Sequence, residues 1–241
     1  MSESEAPSTP WEQPPSELVL TPGVVHAWLL SDDAMLAAAG RRDVLARDEA
    51  DRAARLEGAR SRAFIATRVT LRILLARYTS DSPEGILFDY GPLGKPRLRT
   101  GDIQFSISHA GDRALLAFSR TAPVGVDVER VRSARRFDAL TARFLSADNA
   151  RIVGRATASA RPRIFAEAWA QREAYVKAVG GGLYATPDLL PFLPGRVPVR
   201  EVLIDGTLWS VAALDAGDEY EARLVTAARV SALRTFSTRS L

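Results

Sequence analysis

The feature that most limits how this chain can fold is an order of segments that recurs about one hundred residues on. VVHAWLL at 24–30 is followed by LARDEA at 45–50 and a helix-patterned RAFIATRVTLRILLARY at 62–78. VGVDVER at 124–130 is followed by LSADNA at 145–150 and IFAEAWAQREAYVKAVG at 164–180, so that Leu45, Asp48 and Ala50 align with Leu145, Asp148 and Ala150. Each unit then closes with short alternating runs, IQFSIS and RALLAFS in the first and EVLI, LWSVAAL and YEARLV in the second, which read as antiparallel strands. The repetition predicts an α+β protein of two similar halves, 23–120 and 121–228, related by a pseudo-two-fold axis with a cleft between them. Helical spacing turns Phe64, Leu71, Leu74 or Leu75 and Tyr78 inward in the first half, and Phe165, Trp169, Val176 and Val179 in the second. Gly180, Gly181 and Gly182 stop the second helix.

The ends read differently. Five prolines in residues 1–22 predict a mobile tail, and 229–241 is expected to be a loosely held C-terminal tail. Of 241 residues, 46% are hydrophobic and 25% charged, which excludes a disordered or collagen-like chain. Without cysteine, disulfides, thiolate metal sites and cysteine nucleophiles are excluded together, and a cytoplasmic location is expected. No apolar run approaches membrane-spanning length. The net charge is only +3, yet of 32 basic residues just two, Lys95 and Lys177, are lysine. That raises the question of what a compact ammonium does at two positions where this chain would ordinarily use a planar guanidinium.

Five short stretches could carry chemistry. In VGVDVER, strand alternation puts Asp127 and Glu129 on one face, where two hard oxygen ligands suit Mg²⁺; the plainer reading is a solvated strand face. In WAQREAYVK, Trp169, Glu173 and Lys177 share one helix face, either as a surface ion pair or as a third carboxylate with a lysine. GPLGKPRL places Lys95 in a tight turn that lacks the spacing of a phosphate-binding Walker loop. FSISHAGD sets Ser108 and His109 at a strand end without the glycine of a hydrolase elbow, so a phosphate contact is the natural use. Arg52, Arg55, Arg62, Arg68 and Arg72 form an arginine-rich face, suited to phosphate or simply solvated.

Together GPLGKP, FSISHAGD, VGVDVER and WAQREAYVK resemble, in order and spacing over residues 43–185, the larger surfactin-type branch of the 4′-phosphopantetheinyl transferases. The resemblance implies the fold of that family. It also implies an activity: transfer of the phosphopantetheine arm of coenzyme A to a serine of an apo acyl or peptidyl carrier protein of fatty-acid, polyketide or nonribosomal peptide synthases, releasing adenosine 3′,5′-bisphosphate. By position Asp127, Glu129 and Glu173 would hold Mg²⁺, Lys177 would contact phosphate near the scissile bond, and Glu173 would take the serine proton. Ser108 and His109 would hold the 3′-phosphate with Arg52, Arg55 and Arg62, and Gly94, Lys95 and Pro96 would line the adenine. Arg172 and Ser106 depart from the family pattern, which implies altered coenzyme or carrier fit. A Mg²⁺-dependent nuclease is disfavoured because Glu173 and Lys177 are separated by three residues. An arginine-rich nucleic-acid binder is disfavoured by 29 acidic residues. The expectation is a monomer with neither nucleic-acid nor membrane partner.

Overall fold

The computed structural model describes residues 10–120, 122–132, 137–184 and 186–238. Among the described residues, ten strands and six α-helices run in the order β1 (Val24–Leu30), α1 (Asp32–Gly40), α2 (Arg47–Ala54), α3 (Gly58–Thr79), β2 (Phe88–Tyr90), β3 (Pro96–Leu98), β4 (Ile103–Ala110), β5 (Arg113–Arg120), β6 (Val124–Arg130), α4 (Phe137–Phe144), α5 (Ala147–Arg155), α6 (Arg161–Val179), β7 (Arg200–Ile204), β8 (Thr207–Leu214), β9 (Tyr220–Thr226) and β10 (Ala232–Thr238). They form two four-stranded sheets, β10-β1-β5-β4 and β6-β9-β8-β7, with β2 and β3 as a separate hairpin.

Alternation along the strands explains the layering. One face of the first sheet carries Trp28, Leu30, Phe105, Leu116 and Phe118, which pack with Ile65, Leu71, Leu74 and Leu75 of α3. Its other face carries Val25, Ala27, Leu115 and Ala117, which meet Val124, Val126, Val128, Ala222 and Leu224 of the second sheet. The outer face of the second sheet is covered by α6, where Ala174, Tyr175 and Ala178 pack with Trp209, Val211 and Val225. The chain is therefore a stack of helix, sheet, sheet and helix. Helix α6 opens with Pro162 in its first turn and closes on Gly180 in the left-handed conformation at φ 80°, the glycine stop expected from the sequence. Val179, expected to face inward, is 46% exposed because it follows the last turn that lies over the sheet.

The repetition extends to topology and to buried polar contacts. The strand order β1-β5-β4 is matched by β6-β9-β8. Arg72 of α3 donates to the carbonyls of Pro83 and Ile86, at 2.9 and 3.0 Å. Arg172 of α6 donates to those of Leu183 and Thr186, so arginine and both carbonyls recur one hundred residues on. Each arginine ties down the loop after its helix, where helical amides no longer serve those carbonyls. Arg172 thus holds the backbone of the loop after α6. Arg68 and Arg72 are likewise not part of an exposed face: both are buried against Glu49, at 3.3 and 2.6 Å.

Both ends depart from the expectation of loose tails. Residues 232–238 form β10, parallel to β1 and paired Phe236 to Trp28. The extended segment from residue 10 lies alongside, with the Glu12 amide donating to Thr235 and its carbonyl accepting from Ser237. Leu18 and Leu20 are buried in the first core. A proline-rich strand needs no internal hydrogen bonds, so it can follow an edge while its few apolar side chains find cover. Residues 1–9 and 239–241 lie outside the described residues.

Under that edge His26 of β1 shares a proton with the Tyr78 hydroxyl at 2.8 Å, and the Trp28 indole donates to the same oxygen at 3.0 Å. Burial, reinforced by the Arg234 charge, lowers the His26 pKa to about 4. The unfolded chain then binds more protons than the folded one between about pH 6.5 and 4, so stability falls as pH falls through that window, by up to about 3 kcal/mol. On going from pH 7 to pH 5 the urea midpoint of the native chain is expected to fall relative to that of His26→Gln, a difference between the two chains in which the opposing carboxyl titrations common to both cancel.

Candidate active site

Strand β6 is the edge of one sheet and β4 the edge of the other, and the site lies where these edges meet. No ladder joins them. Instead two serines of β4 serve the outward amides of β6: Ser106 Oγ accepts from Val126 N at 3.1 Å, and Ser108 Oγ from Val128 N at 3.4 Å. Side chains thus satisfy an edge that would otherwise be left open. The role of Ser106, which the sequence presents only as a departure from the family pattern, is to hold this seam.

On the α6 side of β6 lie Gly125, Asp127 and Glu129. Gly125 is what lets the helix approach. A Cβ built there would stand 1.9 Å from the Ala174 carbonyl oxygen and 2.6 Å from the Ala178 nitrogen, so no other residue fits beneath α6. Nothing in the alternation of VGVDVER singles it out, although a glycine inside a strand pattern is the signal for a close backbone approach. The contact brings α6 down so that Lys177 Nζ donates to Asp127 Oδ1 at 2.6 Å and to the Val126 carbonyl at 3.2 Å. Ser108 Oγ donates to the same Asp127 oxygen at 2.7 Å. Asp127 is buried, and its second oxygen, Oδ2, has no partner.

The three carboxylates act on one another electrostatically. Burial, then the charge of Asp127, then that of Glu173 push Glu129 up to about 7, despite the opposing Lys177 ammonium. Glu173 is also raised, by burial and by Asp127. Two carboxyls raised in this way favour a cation or a proton. Among the described residues no three histidine or acidic side chains converge closely enough to hold a metal ion as they stand.

The other expected residues divide. Lys95, on the loop between β2 and β3, donates its ammonium to the Lys177 carbonyl, so the chain's two lysines meet. Burial and the neighbouring Lys177 charge lower its pKa. Gly94, Lys95 and Pro96 line a cavity of about 250 Å³ with Phe105, Ile107, Val176 and Lys177, between the hairpin, β4 and the end of α6. Ser108 is committed to Asp127, whereas alternation along β4 turns His109 away from it, so the two do not converge on one point. Loss of surrounding water and the Lys177 charge hold His109 below the ordinary histidine range. Arg52, Arg55 and Arg62 are exposed on α2, its C-terminus and α3, with Arg52 over the Phe64 ring at 5.1 Å. None of the three contacts the carboxylates. A second cavity, of about 280 Å³, opens beside Glu129 and is lined by Phe137, Leu140, Phe165 and Trp169, with Arg130 and Arg132 also on its wall.

Comparison with known proteins agrees with this geometry. Residues 123–225, from β6 into β9 and including α6, match the family model of the 4′-phosphopantetheinyl transferase superfamily. The chain is 28% identical over 223 residues to the 4′-phosphopantetheinyl transferase HetI of Nostoc sp., covering 90% of this chain and 93% of that protein. It is 29% identical over 135 residues to AcpT of Salmonella typhi, covering 56% and 69% respectively. It is 35% identical over 102 residues to gsp of Aneurinibacillus migulanus, covering 42% and 41%. The matched segment supplies Gly125, Asp127, Glu129, Glu173 and Lys177, so the site itself lies in the part of the chain that is similar to the 4′-phosphopantetheinyl transferase superfamily.

Proposed function

We propose that this protein moves the phosphopantetheine arm of coenzyme A onto a serine of an apo acyl or peptidyl carrier protein, at the seam between the two sheets, in a Mg²⁺-dependent reaction that releases adenosine 3′,5′-bisphosphate. The observation that carries the reading is the Asp127–Lys177 pair, with Glu129 and Glu173 beside it, at the junction of a 250 Å³ cavity and a second apolar one. The two-fold relation of the halves belongs to the same proposal, supported by the matched strand orders and the Arg72 and Arg172 contacts.

Asp127, Glu129 and Glu173 are the residues that would hold Mg²⁺. The donor set fits, because Asp127 Oδ2 is buried without a partner and the other two carboxyls are raised by burial and by the Asp127 charge, both of which a bound cation would offset. A bound Mg²⁺ supplies Lewis-acid neutralisation of pyrophosphate oxygens. Lys177 adds a second positive charge, and because its ammonium is fixed by Asp127 and the Val126 carbonyl, little reorganisation is needed when charge builds on the leaving phosphate. Glu173, raised above the usual carboxylate range, is suited to accept the proton of the acceptor serine. The serine oxygen bonds to the β-phosphorus as the bond from that phosphorus to the bridging oxygen breaks, and the electron pair leaves with adenosine 3′,5′-bisphosphate.

The cavity lined by Gly94, Lys95 and Pro96 suits the adenine end of the coenzyme. His109, Arg52, Arg55 and Arg62 are proposed to reach the 3′-phosphate, with Ser108 acting beside them through Asp127. The aromatic cavity next to Glu129, with Arg130 and Arg132 on its wall, suits an acidic carrier surface. Nucleotide release tests this reading. With coenzyme A and an apo carrier, adenosine 3′,5′-bisphosphate is expected to appear in a one-to-one ratio with carrier consumed, to stop with EDTA and to resume with excess Mg²⁺. Release that ignores chelation would remove the metal from the proposal.

A further inference from the structure

The meeting of Lys95 and Lys177 is not accounted for by any role in coenzyme binding. Lys95 comes from the first half, on the loop between β2 and β3, and its ammonium donates to the backbone carbonyl of Lys177 in the second half. That carbonyl lies in the last turn of α6, where acceptors outnumber helical amides, and a cation there is favoured by the helix dipole as well as by the hydrogen bond. The loop is built to deliver it: Gly94 N donates to the Gly91 carbonyl at 2.8 Å, and Gly91 N to the Lys95 carbonyl at 2.9 Å. Its tip makes a second contact with the same region, since Leu93 Cδ1 lies 2.5 Å from where a Cβ of Gly182 would stand. The hairpin therefore clasps the C-terminal end of α6 at two points. Lys177 is held at both its ends, by Lys95 through its carbonyl and by Asp127 through its ammonium.

We propose that Lys95 is a positioning residue that acts through Lys177: by fixing the last turn of α6 across the seam, it sets the direction of the Lys177 ammonium. This answers why lysine survives at position 95 in an arginine-rich chain. A single backbone carbonyl is matched by a compact ammonium, whereas a planar fork is built for two acceptors. Removing the Lys95 ammonium would release the end of α6 and let the Lys177 charge wander, while leaving the cavity wall, which Gly94 and Pro96 also form, largely in place.

The catalytic half of the inference rests on the transferase reading; the clasp does not, and hydrogen exchange tests it alone. In Lys95→Met, amides of residues 177–184 are expected to exchange at least about tenfold faster while those of 161–170 are unchanged. Unchanged exchange at 177–184 would overturn the proposal whatever the activity, and faster exchange throughout both segments would assign Lys95 to general stability and overturn it also. For transfer, Lys95→Met is expected to lower kcat on the order of tenfold, separately from any rise in the Kd for coenzyme A that comes from its place in the cavity wall. On a Lys177→Met background the same change should cost less than about twofold, because both substitutions remove one device. Lys95→Arg is expected to fall short of the native rate. A raised Kd with native kcat, or losses that multiply in the double variant, would make Lys95 a direct coenzyme contact and contradict the positioning role. Absence of transfer by the native chain would sink the transferase reading, with the exchange result still deciding the clasp.

Discussion

Gly125→Ala is expected to abolish transfer almost completely while leaving most of the fold intact. The added Cβ would lie 1.9 Å from the Ala174 carbonyl oxygen, well inside any tolerable contact, and both neighbours are backbone atoms of α6 that cannot rotate aside. The helix must therefore lift from β6 by more than about 1 Å. Glu173 and Lys177 ride on that helix while Asp127 and Glu129 stay on the strand, so one methyl group separates the two halves of the site. A displacement of that size costs roughly a hundredfold in rate, and overpacking costs roughly 1–3 kcal/mol in stability. Paired rate and urea measurements separate the effects. A variant as stable as the native chain and within about threefold of its rate would mean that α6 is not held to β6 as described.

Asp127→Asn should have the other large effect, for an electrostatic reason. The amide keeps the size of the carboxyl, and its oxygen can still accept from Lys177 and Ser108, so the seam should persist. What disappears is the negative charge that pairs with the Lys177 ammonium and, in the proposed function, helps hold Mg²⁺. Truncating one member of a mostly buried charge pair leaves the other uncompensated, and removing a charge from the reaction centre typically costs on the order of a thousandfold in rate. Losing the repulsion from Asp127 should also lower the Glu129 pKa from about 7 towards the ordinary range, with burial still holding it up. The checks are the transfer rate and a calorimetric Mg²⁺ titration in the presence of coenzyme A. A rate within tenfold of native would remove Asp127 from the centre of the account.

The strands and long helices were legible because their signals are local: alternating runs for strands, helical spacing on α3 and α6, and a glycine stop at Gly180. Asp127, Glu129, Glu173 and Lys177 were legible as neighbours because strand and helix periods put each pair on one face. What brings the pairs together was not. It depends on Gly125, whose importance arises only when a specific helix crosses it, and on Ser106 and Ser108, whose hydroxyls serve another strand's amides. The burial of Arg68, Arg72 and Arg172 was not foreseen for a related reason. An arginine looks like surface until Glu49 or a row of orphaned loop carbonyls is folded around it. The expected loose tails failed because edge strands contribute few apolar residues of their own. Leu18, Leu20 and Phe236 anchor the segment leading into β1 and the β10 strand beside it, and the pairing partners that hold them lie far away in sequence.

The most direct test of the central claim is the intact mass of an apo carrier protein after incubation with this protein, coenzyme A and Mg²⁺, alongside Asp127→Asn and EDTA controls. The account predicts one added phosphopantetheine, located on the carrier serine, that is absent or nearly so in both controls. Unmodified carriers in the presence of bound coenzyme A and Mg²⁺, or modification that proceeds equally well in Asp127→Asn, would contradict it.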